Sequence, residues 1–506
     1  MTLTDLLAQC RSRPDDGDCH GELAREALAI GEELQALPLL HALVERRPAD
    51  PRGWHWLGLL CRGLDRRREA IVALGRAHEL TPNNGSIAHG LAHVMLEAGE
   101  ESVAAFERAI VLTPGNPAIR LGLASARVAA GHGALARSEL ADTLAANPGW
   151  IEGHRHYAQL AALTGDPAPL ATIEAALVRF PDGGELYLAA IDLLIDGDLH
   201  DAALAMVARA RARLGDDAAL DWSQAAALDE LGESVAAKSA FDRLDLPGDP
   251  AQAVRLVRHL LRRGEPGAAV LAIEPWLAGD GAGALWPYAS IAWRMLGDPR
   301  AQWLDQDRFI AEIDLGLTPA ELAELAALLR SLHQRSGRFL NQSVRAGTQT
   351  DGPLLARIDP PIERLRHKLR AAIADYVAAL PPPDAGHPLL MARRHGRLRF
   401  AGSWSVRLTD RGYHSAHQHP QGWISSAFYV TVPEGMAAGA GWLELGGGPP
   451  ALRLDLPPTR RIAPIAGKLV LFPSTVWHST TPFEAGERIS VAFDVAQPSP
   501  NILPRA

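Results

Sequence analysis

The chain has 506 residues, 47% hydrophobic and 22% charged, with a formal net charge of -9. That length exceeds what one core serves, so two or more domains are expected, with the composition of a water-soluble globular protein. The charge argues against nucleic acid as a bulk ligand. No apolar run approaches the roughly 18 residues that span a membrane, and no basic-then-apolar leader opens the sequence, so the cytoplasm is the default location.

Cys10, Cys19 and Cys61 are odd in number and unevenly placed, which suggests a reducing compartment without a disulfide scaffold. Alanine, leucine and glycine dominate the first two thirds, whereas aromatic and β-branched residues gather in the last fifth. A helical part followed by a sheet part is expected, divided as residues 1–335 and 336–506.

Pro48, Pro82, Pro114, Pro148 and Pro181 recur at intervals of 34, 32, 34 and 33 residues, and the spacing continues through Gly215 and Pro247 to the turn at Gly279–Asp280. Between these breaks lie two helix-length apolar patterns separated by a short break, usually containing glycine. Such a unit cannot bury its apolar face alone and must stack on its neighbours. The stretch Arg52–Asn84 resembles a tetratricopeptide repeat: Trp54, Leu57 and Gly58 fit the first helix, Ala70, Leu74 and Ala77 the second, and Pro82 the closing turn. The resemblance implies an all-α superhelix whose concave face holds a protein or peptide.

Ala284–Gln306 reads as one more helical hairpin, with Trp286, Trp293 and Trp303 packing at the end of the array. Leu317–Gln334 is a further helix, with Thr318 as its cap, Glu321 three residues on and Pro319 in the first turn. Phe339–Gly352 is polar and aperiodic and reads as a linker, followed by a long helix over Pro361–Ala379 that the proline-rich Pro381–Pro388 ends.

From Leu398 the period changes to two. Strands are expected over Leu398–Leu408, Ile424–Val432, Gly441–Leu445, Arg461–Ala463, Lys468–Phe472 and Ile489–Val495, separated by turns rich in glycine or proline. Many short antiparallel strands of this kind suggest a sandwich or barrel, and a jelly roll would accommodate a central metal.

His417 and His419 stand two residues apart, so an extended backbone aims both imidazoles to one side, and His478 lies 59 residues beyond His419 in an apolar strand context. Three such nitrogens suit iron, zinc or nickel. Arg488 follows His478 by ten residues, and Ser490 faces the same way. A buried guanidinium needs an anion and grips a carboxylate bidentately.

These residues, with the surrounding runs Gln342–Gly352, Gly402–Leu408, His417–Pro433 and Leu469–Phe483, resemble the 2OG-Fe(II) oxygenases over about 155 residues. The resemblance implies a double-stranded β-helix (jelly roll) with flanking helices. It also implies Fe(II) held by His417, His419 and His478, and 2-oxoglutarate clamped by Arg488 and Ser490. In most of that superfamily a carboxylate stands where this chain has His419. His414, Asp410 and Glu444 are the competing ligands. Arg407 faces either the pocket or an exterior salt bridge. Tyr429 either bonds the cosubstrate or packs in the core, Trp423 and Trp477 pack around the ligands, and Thr348 and Gln349 fold over the pocket mouth.

The implied activity is a dioxygenase that uses molecular oxygen and 2-oxoglutarate to hydroxylate a protein or peptide presented by the repeats. Two alternatives remain open: a non-catalytic repeat scaffold with a metal- or ligand-binding barrel, and a hydroxylase of a small molecule with purely structural repeats.

Overall fold

The computed structural model describes residues 1–279, 281–333, 343–391 and 397–498. Asp280 of the Gly279–Asp280 turn and residues 339–342 of the expected linker lie outside the described residues.

Antiparallel helices run from Leu3–Ser12 to Arg300–Leu304, each packed on the next. The unit read as the best repeat forms helices Pro51–Gly63 and Arg67–Leu80. Leu57, Ala70, Leu74 and Ala77 are buried between them. Gly58 is required by close approach, since a Cβ there would lie 2.5 Å from Leu74 Cγ. A further regularity sets the starts of the units. Asp50, Asn84, Asn116, Asp217 and Asp249, each two residues after a periodic proline or glycine, cap their helices by accepting backbone N–H bonds. Trp286, Trp293 and Trp303 pack together with ring centroids 6.2–6.4 Å apart. No helix among the described residues is long and apolar enough to cross a membrane.

One cysteine expectation needs correction. Cys10 and Cys19 form a disulfide, because the turn after Leu3–Ser12 folds the helix Gly17–Ile30 back against it. Cys61 is free and buried, and burial pushes its thiol up to about 12.

The C-terminal part contains β1 (Ala311–Asp314), β2 (Val344–Gln349), β3 (Phe400–His414), β4 (Ile424–Thr431), β5 (Leu443–Leu445), β6 (Arg460–Ile462), β7 (Lys468–Pro473), β8 (His478–Thr480) and β9 (Arg488–Val495). They form a six-stranded sheet ordered β1-β7-β4-β9-β3-β2 and a three-stranded sheet ordered β6-β5-β8. The sheets are not closed into a barrel, so the expected double-stranded β-helix is not the fold. Closure needs a continuous ladder around the circumference, whereas each strand of the small sheet has only three residues. The run from Gly446 to Thr459 between β5 and β6 holds three glycines and four prolines, which suit turns better than ladders. Outside these strands the one bridge among the described residues is between His417 and His478.

Alternation along β9 explains the layering. Ile489, Val491, Phe493 and Val495 join a core with helices Pro319–Leu332 and Pro360–Ala379. Tyr429, Val470 and Phe472 pack on the opposite face against Leu443, Leu445 and Ile462 of the small sheet. The helix expected near Leu317 runs over Pro319–Leu332 and has its Thr318–Glu321 capping box. That helix and β1, both within the expected 1–335 division, pack with the large sheet.

The array touches this domain at many points along its length. Arg399 and Arg397 bond Glu33 and the Gly63 carbonyl, and Arg68 reaches Glu363. Ala98 accepts from the Ile358 N–H. Arg453 reaches the Glu230 carbonyl, Arg262 bonds Ala451 and Arg294 bonds Pro457.

Two stability measurements test this packing. Gly58→Ala is expected to lower stability by about 1–3 kcal/mol in urea unfolding, while Gly75→Ala, with open space around the new Cβ, raises it by up to about 1 kcal/mol. His333 bonds Thr348 and Ser405, and burial holds its imidazole at about 4 rather than 6.5. Between those values the unfolded chain takes up a proton that the folded chain refuses. Stability therefore falls as pH drops from about 6.5 towards 4, and His333→Gln makes the fall shallower.

Candidate metal centre

The loop after β3 carries His417 alongside the start of β8. His417 and His478 exchange both backbone hydrogen bonds at 3.0 Å, a single antiparallel bridge that fixes their Cα positions. The chain then turns at Gly422, whose N–H donates to the His419 carbonyl at 3.0 Å. A Cβ at Gly422 would lie 2.5 Å from Ser474 Oγ, so the turn runs close against the end of β7.

These constraints bring His417, His419 and His478 together, with one nitrogen from each within 4.8 Å of the others. Each ring is held from behind. Nδ1 of His417 lies 2.9 Å from the Ser415 carbonyl, that of His478 lies 3.1 Å from Val476, and that of His419 lies 2.6 Å from Asp494 Oδ2. An Nδ1 that donates to an oxygen leaves Nε2 unprotonated, the form a metal requires. Burial, reinforced by the neighbouring imidazoles, holds His417 down at about 3 and His478 well below 6.5, so both are neutral near pH 7. The donor set fits a divalent transition metal such as iron or zinc. Ser343 Oγ lies 3.4 Å from His417 Nε2. Trp404 stacks on His419 at 5.4 Å, and Phe472 sits edge-on to His478 at 4.9 Å.

The other expected residues divide between the two faces of the large sheet. Arg488 is 1% exposed; its Nη atoms donate to the Gly441 carbonyl (2.6 Å) and Thr480 Oγ1 (3.1 Å), and its Nε has no partner among the described residues. Burial pulls its guanidinium below the usual arginine value. Tyr429 stands directly across from Ser490 in the β4–β9 register, and its buried hydroxyl also lacks a partner among the described residues. Burial pushes that hydroxyl up to about 12. Arg488, Ser490 and Tyr429 therefore share the face that carries the histidines.

Arg407 lies on the opposite face and pairs with Glu487 at 2.7 Å. His414 stands outside the three-histidine group, its Nδ1 3.1 Å from Ser343 Oγ. Asp410 accepts from the Gly486 N–H, and Glu444 pairs with Arg461, so neither reaches the centre. Trp423 donates to Leu389 on the helix side, and Trp477 packs on Tyr288 of the last repeats.

The sequence reading missed Asp494, the carboxylate behind His419. Its signal is a single acid in the apolar run Ile489–Val495, in phase with Arg488 and Ser490.

Two clefts separate the array from the sheet domain and share residues 349–353. One, about 850 Å³, is lined by His93, Glu97 and Thr348 among others; the other, about 490 Å³, runs from Gln159 to Trp404.

A sequence profile of the family described as "Putative 2OG-Fe(II) oxygenase" matches residues 402–494, the segment that contains all three histidines and Arg488. The C-terminal part thus has a 2OG-Fe(II) oxygenase-like domain, and the N-terminal part is a helical-repeat region. No curated protein matches the chain. Among solved structures, a tetratricopeptide repeat protein from Parabacteroides merdae is 17% identical, over 45% of this chain and 91% of its own, with a TM-score of 0.30. YrrB, a TPR protein described as having an unusual peptide-binding site, is 17% identical over 36% and 95%, with a TM-score of 0.29. MamA from Desulfovibrio magneticus is 16% identical over 34% and 94%, with a TM-score of 0.29.

Replacing a candidate ligand tests whether the three histidines act apart from their neighbour His414. His417→Ala or His478→Ala is expected to weaken Co(II) binding by more than about 100-fold, beyond the usual effect of losing an outer partner. His414→Ala should change it less than about threefold, as followed by visible absorption in a chelator competition.

Proposed function

We propose that this chain is an Fe(II)- and 2-oxoglutarate-dependent hydroxylase that uses molecular oxygen. The observation that carries the reading is the shared face. Three imidazoles converge, each tethered through Nδ1 so that Nε2 is the nitrogen left for a metal, and beside them lies a buried arginine that no carboxylate pairs among the described residues. Thr480 links the two ends: it stands two residues beyond His478 on β8, about 7 Å along an extended strand, and touches Arg488. A short dicarboxylate suits that span, one end at the metal and the other at the guanidinium.

When bound, Fe(II) with 2-oxoglutarate and oxygen supplies the oxidising power that converts a substrate C–H to C–OH. The chain's own residues hold and orient. His417, His419 and His478 would hold the metal through their ring nitrogens. Arg488, with the hydroxyls of Ser490 and Tyr429, receives the far carboxylate, and the unpartnered Arg488 Nε and Tyr429 hydroxyl are the donors available for it. Trp404 and Phe472 shield the imidazoles from water.

The contacts spread along the array support repeats whose main task is to hold the sheet domain. Substrate then enters the clefts between the two parts, which accept a small molecule or a short peptide segment, and the smaller of them is lined by Trp404, which stacks on His419. A metal-binding domain without turnover is the second reading. It is favoured by the bonds Arg488 already makes to Gly441 and Thr480, as a structural arginine would.

Anaerobic addition of Fe(II) and 2-oxoglutarate separates these readings. The hydroxylase gives a weak visible charge-transfer band that Arg488→Ala abolishes, and it releases succinate once oxygen is admitted. Metal binding with no band in the wild-type protein favours the second reading.

A further inference from the structure

We infer that Asp494 is a positioning residue that delivers to the metal, through His419, the negative charge that a carboxylate ligand would otherwise bring. The inference rests on the three histidines being a metal site, as in the proposed function. It also answers the main departure of this chain from the superfamily pattern, the histidine at position 419.

Three observations carry it. First, the three tethers are unequal. His417 and His478 lean on neutral backbone carbonyls, whereas His419 contacts a carboxylate at 2.6 Å, the shortest of the three. A carboxylate behind an imidazole makes the opposite nitrogen a stronger donor and fixes its aim.

Second, Asp494 is built into place. Its other oxygen accepts from Ser425 Oγ at 2.6 Å, and that hydroxyl lies 2.9 Å from Ser474 Oγ. Ser425 stands directly opposite Asp494 in the β4–β9 register. The carboxylate is therefore fixed between two strands on the Nδ1 side of His419, where it cannot ligate the metal itself.

Third, its charge is otherwise unanswered. The Asp494 side chain is 10% exposed, and no arginine or lysine pairs with it among the described residues. A buried carboxylate needs a compensating positive charge. The route open to it runs through the His419 ring to whatever cation the three Nε2 atoms hold.

The same arrangement explains why an acid at position 419 would not serve here. A carboxylate at that position would face Asp494 in a water-poor site, and like charges there oppose each other. One unit of negative charge is needed; this fold places it one residue further from the metal.

Titration of the metal-free full chain with Co(II), followed by its visible absorption against a competing chelator, tests the inference. Asp494→Asn should weaken binding about 10–100-fold, with the thermal midpoint of the metal-free protein little changed. His419→Asp should also bind weakly, and the double variant His419→Asp/Asp494→Asn should recover at least tenfold over His419→Asp, because it restores a single acid. The inference is overturned if Asp494→Asn binds within twofold of wild type, or if the double variant is no tighter than His419→Asp alone. Absence of Co(II) binding to the wild-type chain would instead remove the metal-site reading beneath it.

Discussion

The site depends on one pair of backbone hydrogen bonds, those between His417 and His478. Side chains from a loop and from a three-residue strand have no reason to converge unless something fixes both backbones, and here the two residues fix each other. The bridge extends the small sheet by a single residue, enough to align two imidazoles with ring centroids 4.1 Å apart. His419 then needs only the turn at Gly422 to swing its ring onto the same point. A lost bridge would free the loop, and the cost would fall on geometry before stability, because a metal site tolerates little misplacement of its donors.

Strand β9 works as a ruler across the site. Its even-numbered residues from Arg488 to Asp494 lie on one face at about 7 Å intervals, with the guanidinium at one end and the acid behind His419 at the other. The opposite phase, Ile489, Val491, Phe493 and Val495, is buried against helices and holds the register. A slip of one residue would exchange the two sets and put a charged guanidinium into that apolar core. Register, hydrophobic pattern and chemistry are therefore one constraint on this strand.

That coupling explains what was legible in the sequence. The repeat period, the cap at Thr318, the strands with strong alternation and the His417–His419 pair are readable because each depends on local spacing, and His478 stands out by its apolar strand context. Asp494 is not legible as a partner of His419 although its phase relative to Arg488 is visible, because the two lie 75 residues apart and only the β4–β9 pairing and the turn at Gly422 bring them together. Asp410 and Glu444, the acids the sequence offers as ligands, face other partners. β1 and β2 were missed because each has a partner distant in sequence or irregular: β1 pairs with β7, more than 150 residues away, and β2 pairs with β3 across a break in register between Arg345 and Gly347. Closure into a barrel was inferred from strand number and turn composition. Neither reports whether a ladder continues past a three-residue strand.

The array and the sheet domain also share constraints, although their repeats and strands are separate in sequence. Gly283, at the start of the last long helix of the array, comes so close to the Pro420 carbonyl that no Cβ would fit. Pro420 immediately follows His419, so the end of the array bears directly on the loop that positions a proposed ligand. Tyr288, one and a half turns further along that helix, packs on Trp477, the neighbour of His478. Two of the three histidines are thus buttressed by the array through residues adjacent to them, while Arg397 and Arg399 tie the other end of the array to the start of β3. Because these attachments sit at both ends of the array, a displacement of its last long helix bears on the loop that holds His419 and on the residue beside His478, although the array contributes none of the three imidazoles.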